Sequence, residues 1–229
     1  MPYPTKKLRE KQWRQQQGSF AEFDFEKFCK ENGISCVLLE KDQEAREKVL
    51  KDSKSKCPDF LCVKNGCQIF VEVKTHTLFT NEARNRMMSK IVQTKKAAGL
   101  SGTTIFDSFD PRPELKVPFE GYLRDTSKKF KNIKGEFNFP RILLLKSSFV
   151  ENRDFPAIFW GAYQSFRMNG TYAGLSKTHR GLFDSTGSNV SAVVYWNRDL
   201  KRYEGVANLK AQIPLLDGDF KIFFETANV

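Results

Sequence analysis

The chain has 229 residues, enough for one large domain or two small ones, and its 40% hydrophobic content with 21 Phe can build a real core. Its 38 Lys+Arg against 27 Asp+Glu give a formal net charge of +11, which suits a polyanionic partner, nucleic acid first among them. No run of about 18 apolar residues exists, so no membrane-spanning helix is expected. The start of the chain has no apolar signal core, and its five cysteines are odd in number. Together these predict reduced thiols and a cytoplasmic or nucleoid-associated protein that is not secreted.

Residues 1–18 carry Lys6, Lys7, Arg9, Lys11 and Arg14 followed by three glutamines, and read as a basic N-terminal arm or a helix with no packed face. A single domain is expected to fill 19–229. Ser19 is placed to cap a helix, with Glu22 three residues on in capping-box spacing. Ala21, Phe25, Phe28 and Cys29 then form one apolar stripe, with Glu22 on its edge and Glu26 a turn further out. Gly33 stops the helix, Ile34 to Leu39 reads as a strand, and the charged residues 42–52 read as a short exposed helix.

Pro58-Asp59 comes next, then Asn65-Gly66, then Glu72-Val73-Lys74. Asn-Gly between apolar runs is the strongest short-range signal for a two-residue hairpin, because both central positions need φ > 0. That turn pairs Lys64 with Cys67, Val63 with Gln68, Leu61 with Phe70 and Asp59 with Glu72. Direct cross-strand neighbours have Cβ atoms roughly 4.5–5.5 Å apart, and like charges there destabilise a sheet. A divalent metal is the simplest device to offset that repulsion, since Mg²⁺ takes one or two carboxylates plus water and phosphate oxygens. Strand alternation puts Lys74 on the same face as Glu72. Phe60, Cys62, Ile69, Val71 and Val73 fill one face of the hairpin, and Leu61, Val63 and Phe70 extend the other, so it belongs in the middle of a covered sheet. The spacing of Cys57, Cys62 and Cys67 suggests a metal cluster, but the register sets Cys62 opposite Ile69 and Cys67 opposite Lys64, and small buried side chains are the better reading.

Thr80 reads as the cap of a long helix to about Ala98, with Arg86, Lys90, Gln93 and Lys96 as a polar stripe suited to a phosphate backbone. Residues 100–138 are rich in Gly, Pro and charge and read as an irregular insertion, where Lys128, Lys129, Lys131 and Lys134 gather around Phe130 as a phosphate patch. Arg141 to Lys146 reads as a buried strand parallel to the second hairpin strand. The remainder, 150–229, is expected to be a β-rich extension. Ile158 to Phe166 is ambiguous between helix and strand, 167–188 reads as a binding loop, and Asn189–Trp196, Arg202–Asn208 and Phe220–Glu225 read as strands.

The set Glu22, Gly33, Pro58-Asp59 and Glu72-Val73-Lys74 resembles the PD-(D/E)XK nuclease superfamily, most closely its small junction-resolvase pattern, over a motif core of roughly residues 19–98 with the strand at 141–146. The resemblance implies an α/β fold, a restriction-endonuclease-like mixed β-sheet flanked by helices, here with insertions and a β-rich C-terminal part. It implies Mg²⁺-dependent endonucleolytic hydrolysis of DNA, with Mn²⁺ able to substitute. Asp59, Glu72 and the Val73 carbonyl would hold the metal, Glu22 would complete the shell through water or help hold a second ion, and Lys74 would orient the attacking water or stabilise developing charge. A homodimer is compatible with it, and RNA is the other substrate it allows. The alternatives are a nuclease of RNA or single-stranded ends and a catalytically silent nucleic-acid-binding module. Gln93 is followed by Ala97 where end-directed relatives carry Gln-X-X-X-Tyr, which bears against exonuclease activity.

Overall fold

The computed structural model describes residues 6–76, 112–147, 158–168, 171–197 and 202–224. The helix expected over 80–98, with Arg86, Lys90, Gln93 and Lys96, lies outside them.

The chain opens on α1 (Lys6–Glu31), which runs unbroken through the expected arm. Ser19 is therefore no cap: its Oγ donates back to the Gln15 carbonyl at 3.2 Å. Lys, Arg, Gln and Glu are good helix formers, so a helix nucleated by its packed half extends through them at little cost. Gly33, at φ 65°, ends α1 with two backward bonds, Ile34 N–H to Cys29 O at 2.8 Å and Gly33 N–H to Lys30 O at 3.4 Å. That is a Schellman termination, and it needs a residue without a Cβ penalty at positive φ.

Next come β1 (Ser35–Leu38) and α2 (Gln43–Val49), whose cap Asp42 accepts the Ala45 N–H at 2.9 Å. β2 (Phe60–Lys64) and β3 (Cys67–His76) form the expected hairpin around Asn65 (φ 51°) and Gly66 (φ 80°), in the expected register from Lys64–Cys67 to Phe60–Val71. The connection to β4 (Arg141–Ser147) contains α3 (Arg112–Lys131), and β4 lies parallel to β3. β5 (Gly161–Met168) and β6 (Thr171–Arg180) pair as a separate two-stranded ribbon. A 3₁₀ turn (Leu182–Asp184), β7 (Ala192–Asn197), β8 (Arg202–Ala207) and α4 (Asp217–Phe224) complete the described elements.

The main sheet has six strands in the order β1-β2-β3-β4-β7-β8, parallel across β3-β4-β7 and antiparallel elsewhere. It is covered on both faces. Ala21, Phe25 and Cys29 of α1 and Phe223 and Phe224 of α4 pack on Phe60, Cys62, Val71, Val73, Ile142 and Val194. Phe119, Leu123 and Phe130 of α3, with Val49 and Leu50, pack on Phe70, Leu143, Leu145 and Val193. The fold is thus α/β with a mixed sheet between helical layers. No helix among the described residues is long and apolar enough to cross a membrane.

Three expectations fail here. Residues 112–131 are helical, not irregular: Phe119, Leu123 and Phe130 supply a buried helical stripe. Pro118 forfeits one ladder hydrogen bond within it. Residues 171–180 are strand rather than loop, because β5 satisfies their backbone groups. Phe220 to Phe224 is helix rather than strand: the apolar run fits either period, and Asp217 and Asp219 favour a helix start by complementing its dipole.

Candidate active site

β3 presents alternate side chains to the α3 layer, so Phe70 joins that core and Glu72, Lys74 and His76 follow on its face. Asp59 is held just before β2: its carbonyl accepts the Leu39 N–H at 2.9 Å, and its Oδ2 accepts the Val73 N–H at 2.7 Å. The Val73 backbone therefore runs alongside Asp59. Asp59 and Glu72 are both buried, Glu72 with no solvent contact at all.

The repulsion between them is answered from α3, a helix where the sequence predicts irregular chain. Lys129, near the end of α3, places its Nζ 2.7 Å from Glu72 Oε1, 2.8 Å from Glu72 Oε2 and 3.3 Å from Asp59 Oδ1. Lys74 pairs with Glu72 Oε1 as well. The lysine expected in an exposed phosphate patch thus turns inward, with 13% of its side chain exposed. Lys128 and Lys131 do lie exposed on the same helix end, while Lys134 donates to the Glu47 and Lys48 carbonyls at 3.0 and 2.8 Å and so caps α2. Lys129 adjoins Phe130, which is fully buried, and that adjacency to the buried stripe is the one sequence signal for its inward turn.

Burial, and then the charge of Asp59, push the Glu72 carboxyl up to about 7, with Lys74 and Lys129 pulling the other way. Burial alone would lower Lys129, but Glu72 and Asp59 outweigh it and the net direction is upward. The ammonium therefore stays charged at neutral pH. Glu22, half-buried on α1, is raised by burial, then by Asp59 and Glu40, against Lys129 and Lys74. Asp59, Lys74 and Lys129 act on both Glu22 and Glu72, so α1 brings Glu22 within electrostatic reach of the hairpin pair.

His76 continues the Glu72–Lys74 face but is occupied by packing. Its ring meets Phe119 edge-on at 5.1 Å, its Nδ1 lies 3.5 Å from the Tyr122 hydroxyl, and burial followed by Arg14 lowers its pKa and keeps it neutral. Burial raises the thiols of Cys36, Cys57 and Cys62, Cys36 to about 12, and Cys36 opposes Cys62 across β1–β2 as a small packed side chain.

As a donor set, Asp59, Glu72 and the Val73 carbonyl offer hard oxygen, the type a Mg²⁺ or Mn²⁺ ion selects. Two acids leave the remaining positions to the carbonyl, water and a phosphate, and no group of three or more His, Cys, Asp or Glu among the described residues is arranged to hold a metal by itself. The residues fit a hard divalent cation in kind, with Lys129 standing between them.

No model of a known protein family, no curated protein and no solved structure matches this chain.

Proposed function

We propose that this chain is a metal-dependent nuclease that hydrolyses phosphodiester bonds in DNA. The observation that carries the reading is the burial of two acids, Asp59 and Glu72, within reach of one ammonium, with Lys74 on the same strand face. Buried like charges are costly, and a protein has little structural use for such a pair at the centre of a sheet. The net charge of +11 supports a polyanionic substrate.

In this reading Asp59, Glu72 and the Val73 carbonyl would hold Mg²⁺, with Glu22 as a further carboxylate near them. A cation there supplies charge for the phosphate oxygens and acidifies water. Lys74, fixed by its contact with Glu72, directs its ammonium at the developing negative charge on the phosphate or at the attacking oxygen. The apolar layers around Glu72 exclude bulk water, which strengthens each of these interactions.

One observation favours a second reading. Lys129 neutralises the acids as they stand, as it would in a silent nucleic-acid-binding module on this fold. Cleavage of supercoiled plasmid with Mg²⁺ separates the two. The nuclease reading expects nicking by the wild type, and expects Asp59→Asn and Lys74→Ala each to lose it at least about a hundredfold while duplex binding is retained. Full activity in either variant would remove the mechanism. Cleavage of RNA or of single-stranded ends alone would move the substrate class.

A further inference from the structure

We infer that Lys129 is a built-in counter-ion that occupies the cation position between Asp59 and Glu72 and competes with a divalent metal for it. The inference rests on the metal-binding reading of that acid pair, and extends it to how the pair is kept closed and how it opens.

The geometry is that of a substitute cation rather than a surface ion pair. One ammonium reaches three oxygens of two acids, at 2.7, 2.8 and 3.3 Å. The contact is enclosed: Glu72 has no exposure and Lys129 little. The remaining Asp59 oxygen is taken by the Val73 N–H, so each carboxylate oxygen of the pair already has a partner.

Charge counting gives the consequence. With both acids ionised, Asp59 and Glu72 carry two negative charges against the two positive ones of Lys74 and Lys129, so these four groups are together neutral. A divalent ion added to all four would leave a double positive excess in a poorly screened site, where charges a few ångströms apart interact strongly. One ammonium must therefore withdraw. Lys74 sits on the strand itself and stays beside Glu72. Lys129 hangs from a helix pinned by Phe119, Leu123 and Phe130, so its backbone stays fixed while its flexible four-carbon stem swings aside. A phosphodiester entering the site restores neutrality in part and gives the displaced ammonium a partner. Cation and nucleic acid then bind cooperatively, and the free protein holds metal weakly. That device guards a positively charged nuclease against carrying an armed site in the absence of substrate.

The test is Mn²⁺ alone, titrated into the full chain by electron paramagnetic resonance of the free ion, for wild type, Lys129→Met and Lys129→Arg. Removing one full charge a few ångströms from the bound ion is expected to tighten Mn²⁺ binding by at least about tenfold in K129M, while K129R stays within a few-fold of wild type. Unchanged or weaker Mn²⁺ binding by a folded K129M overturns the inference. If the wild type still cleaves plasmid, that result leaves the nuclease reading standing. Absence of Mn²⁺ binding by all three proteins overturns the inference and the metal reading together. Should K129M fail to fold, the Lys129 Nζ resonance of ¹⁵N-lysine-labelled wild type is followed during Mg²⁺ titration. It is expected to shift in step with the Glu72 carboxyl resonance, and a stationary Nζ signal beside a saturating carboxyl shift overturns the inference.

Discussion

Glu72, a glutamate with no solvent contact, lies one residue from Val73 and two from Lys74. Its carboxyl rises from the ordinary 4.5 to about 7, mainly through burial and then through Asp59. Between those two values the folded chain keeps a proton on Glu72 that the unfolded chain has released. The metal-free protein therefore loses stability as pH rises through that window. Glu72→Gln removes the titration and is expected to flatten the slope, measured as urea midpoints at its two ends. His76 works in the opposite direction, since its lowered pKa makes folding less favourable in acid, so the comparison is made against wild type rather than against a flat line. An unaltered slope in E72Q would mean that Glu72 is not the group whose proton is retained. At this scale the hairpin register was legible, because Asn65-Gly66 admits one turn type and strand alternation does the rest. The inward turn of Lys129 was not legible, because a lysine beside a buried stripe can lie along it or leave it.

Among the elements, α3 positions most and is least expected from the sequence. Its grip on the sheet runs through Leu123, fully buried, against which Gly187 is packed so closely that a Cβ there would lie 2.7 Å from Leu123 Cγ. Gly187 also sits at φ 87°, where a side chain is strained whatever the space. Leu123→Ala is expected to cost about 2–5 kcal/mol, and Gly187→Ala at least about 2 kcal/mol. The double variant should lose less than the sum, because the new methyl no longer meets Leu123. Strict additivity in chemical denaturation would show that Leu123 is not what excludes a side chain from position 187. The helix escapes a sequence reading because two prolines and a glycine interrupt it, while three aromatic and aliphatic side chains decide its fate by packing on a distant sheet.

For the whole molecule, the main fact is a mixed sheet buried between helices in a chain of net charge +11. If the partner is duplex DNA, affinity falls steeply with salt as counterions are released. The β5–β6 ribbon carries Arg167, Lys177 and Arg180 with no acidic residue in either strand, a composition suited to phosphate contact. The triple alanine variant is expected to weaken duplex binding and to lower the salt slope by about 0.9 for each phosphate that is no longer neutralised. Fluorescence anisotropy across a salt series reads both, and an unchanged slope would place the phosphate-binding surface elsewhere. The amino-acid sequence determined the hairpin and its register, Lys74 on the face of Glu72 and the glycine that stops the first helix, because these depend on turn chemistry and periodicity within a few residues. The tertiary structure alone decided what stands opposite those acids. Lys129 and Glu72 lie 57 residues apart, and their meeting depends on how a whole helix packs on the sheet, which no local pattern specifies.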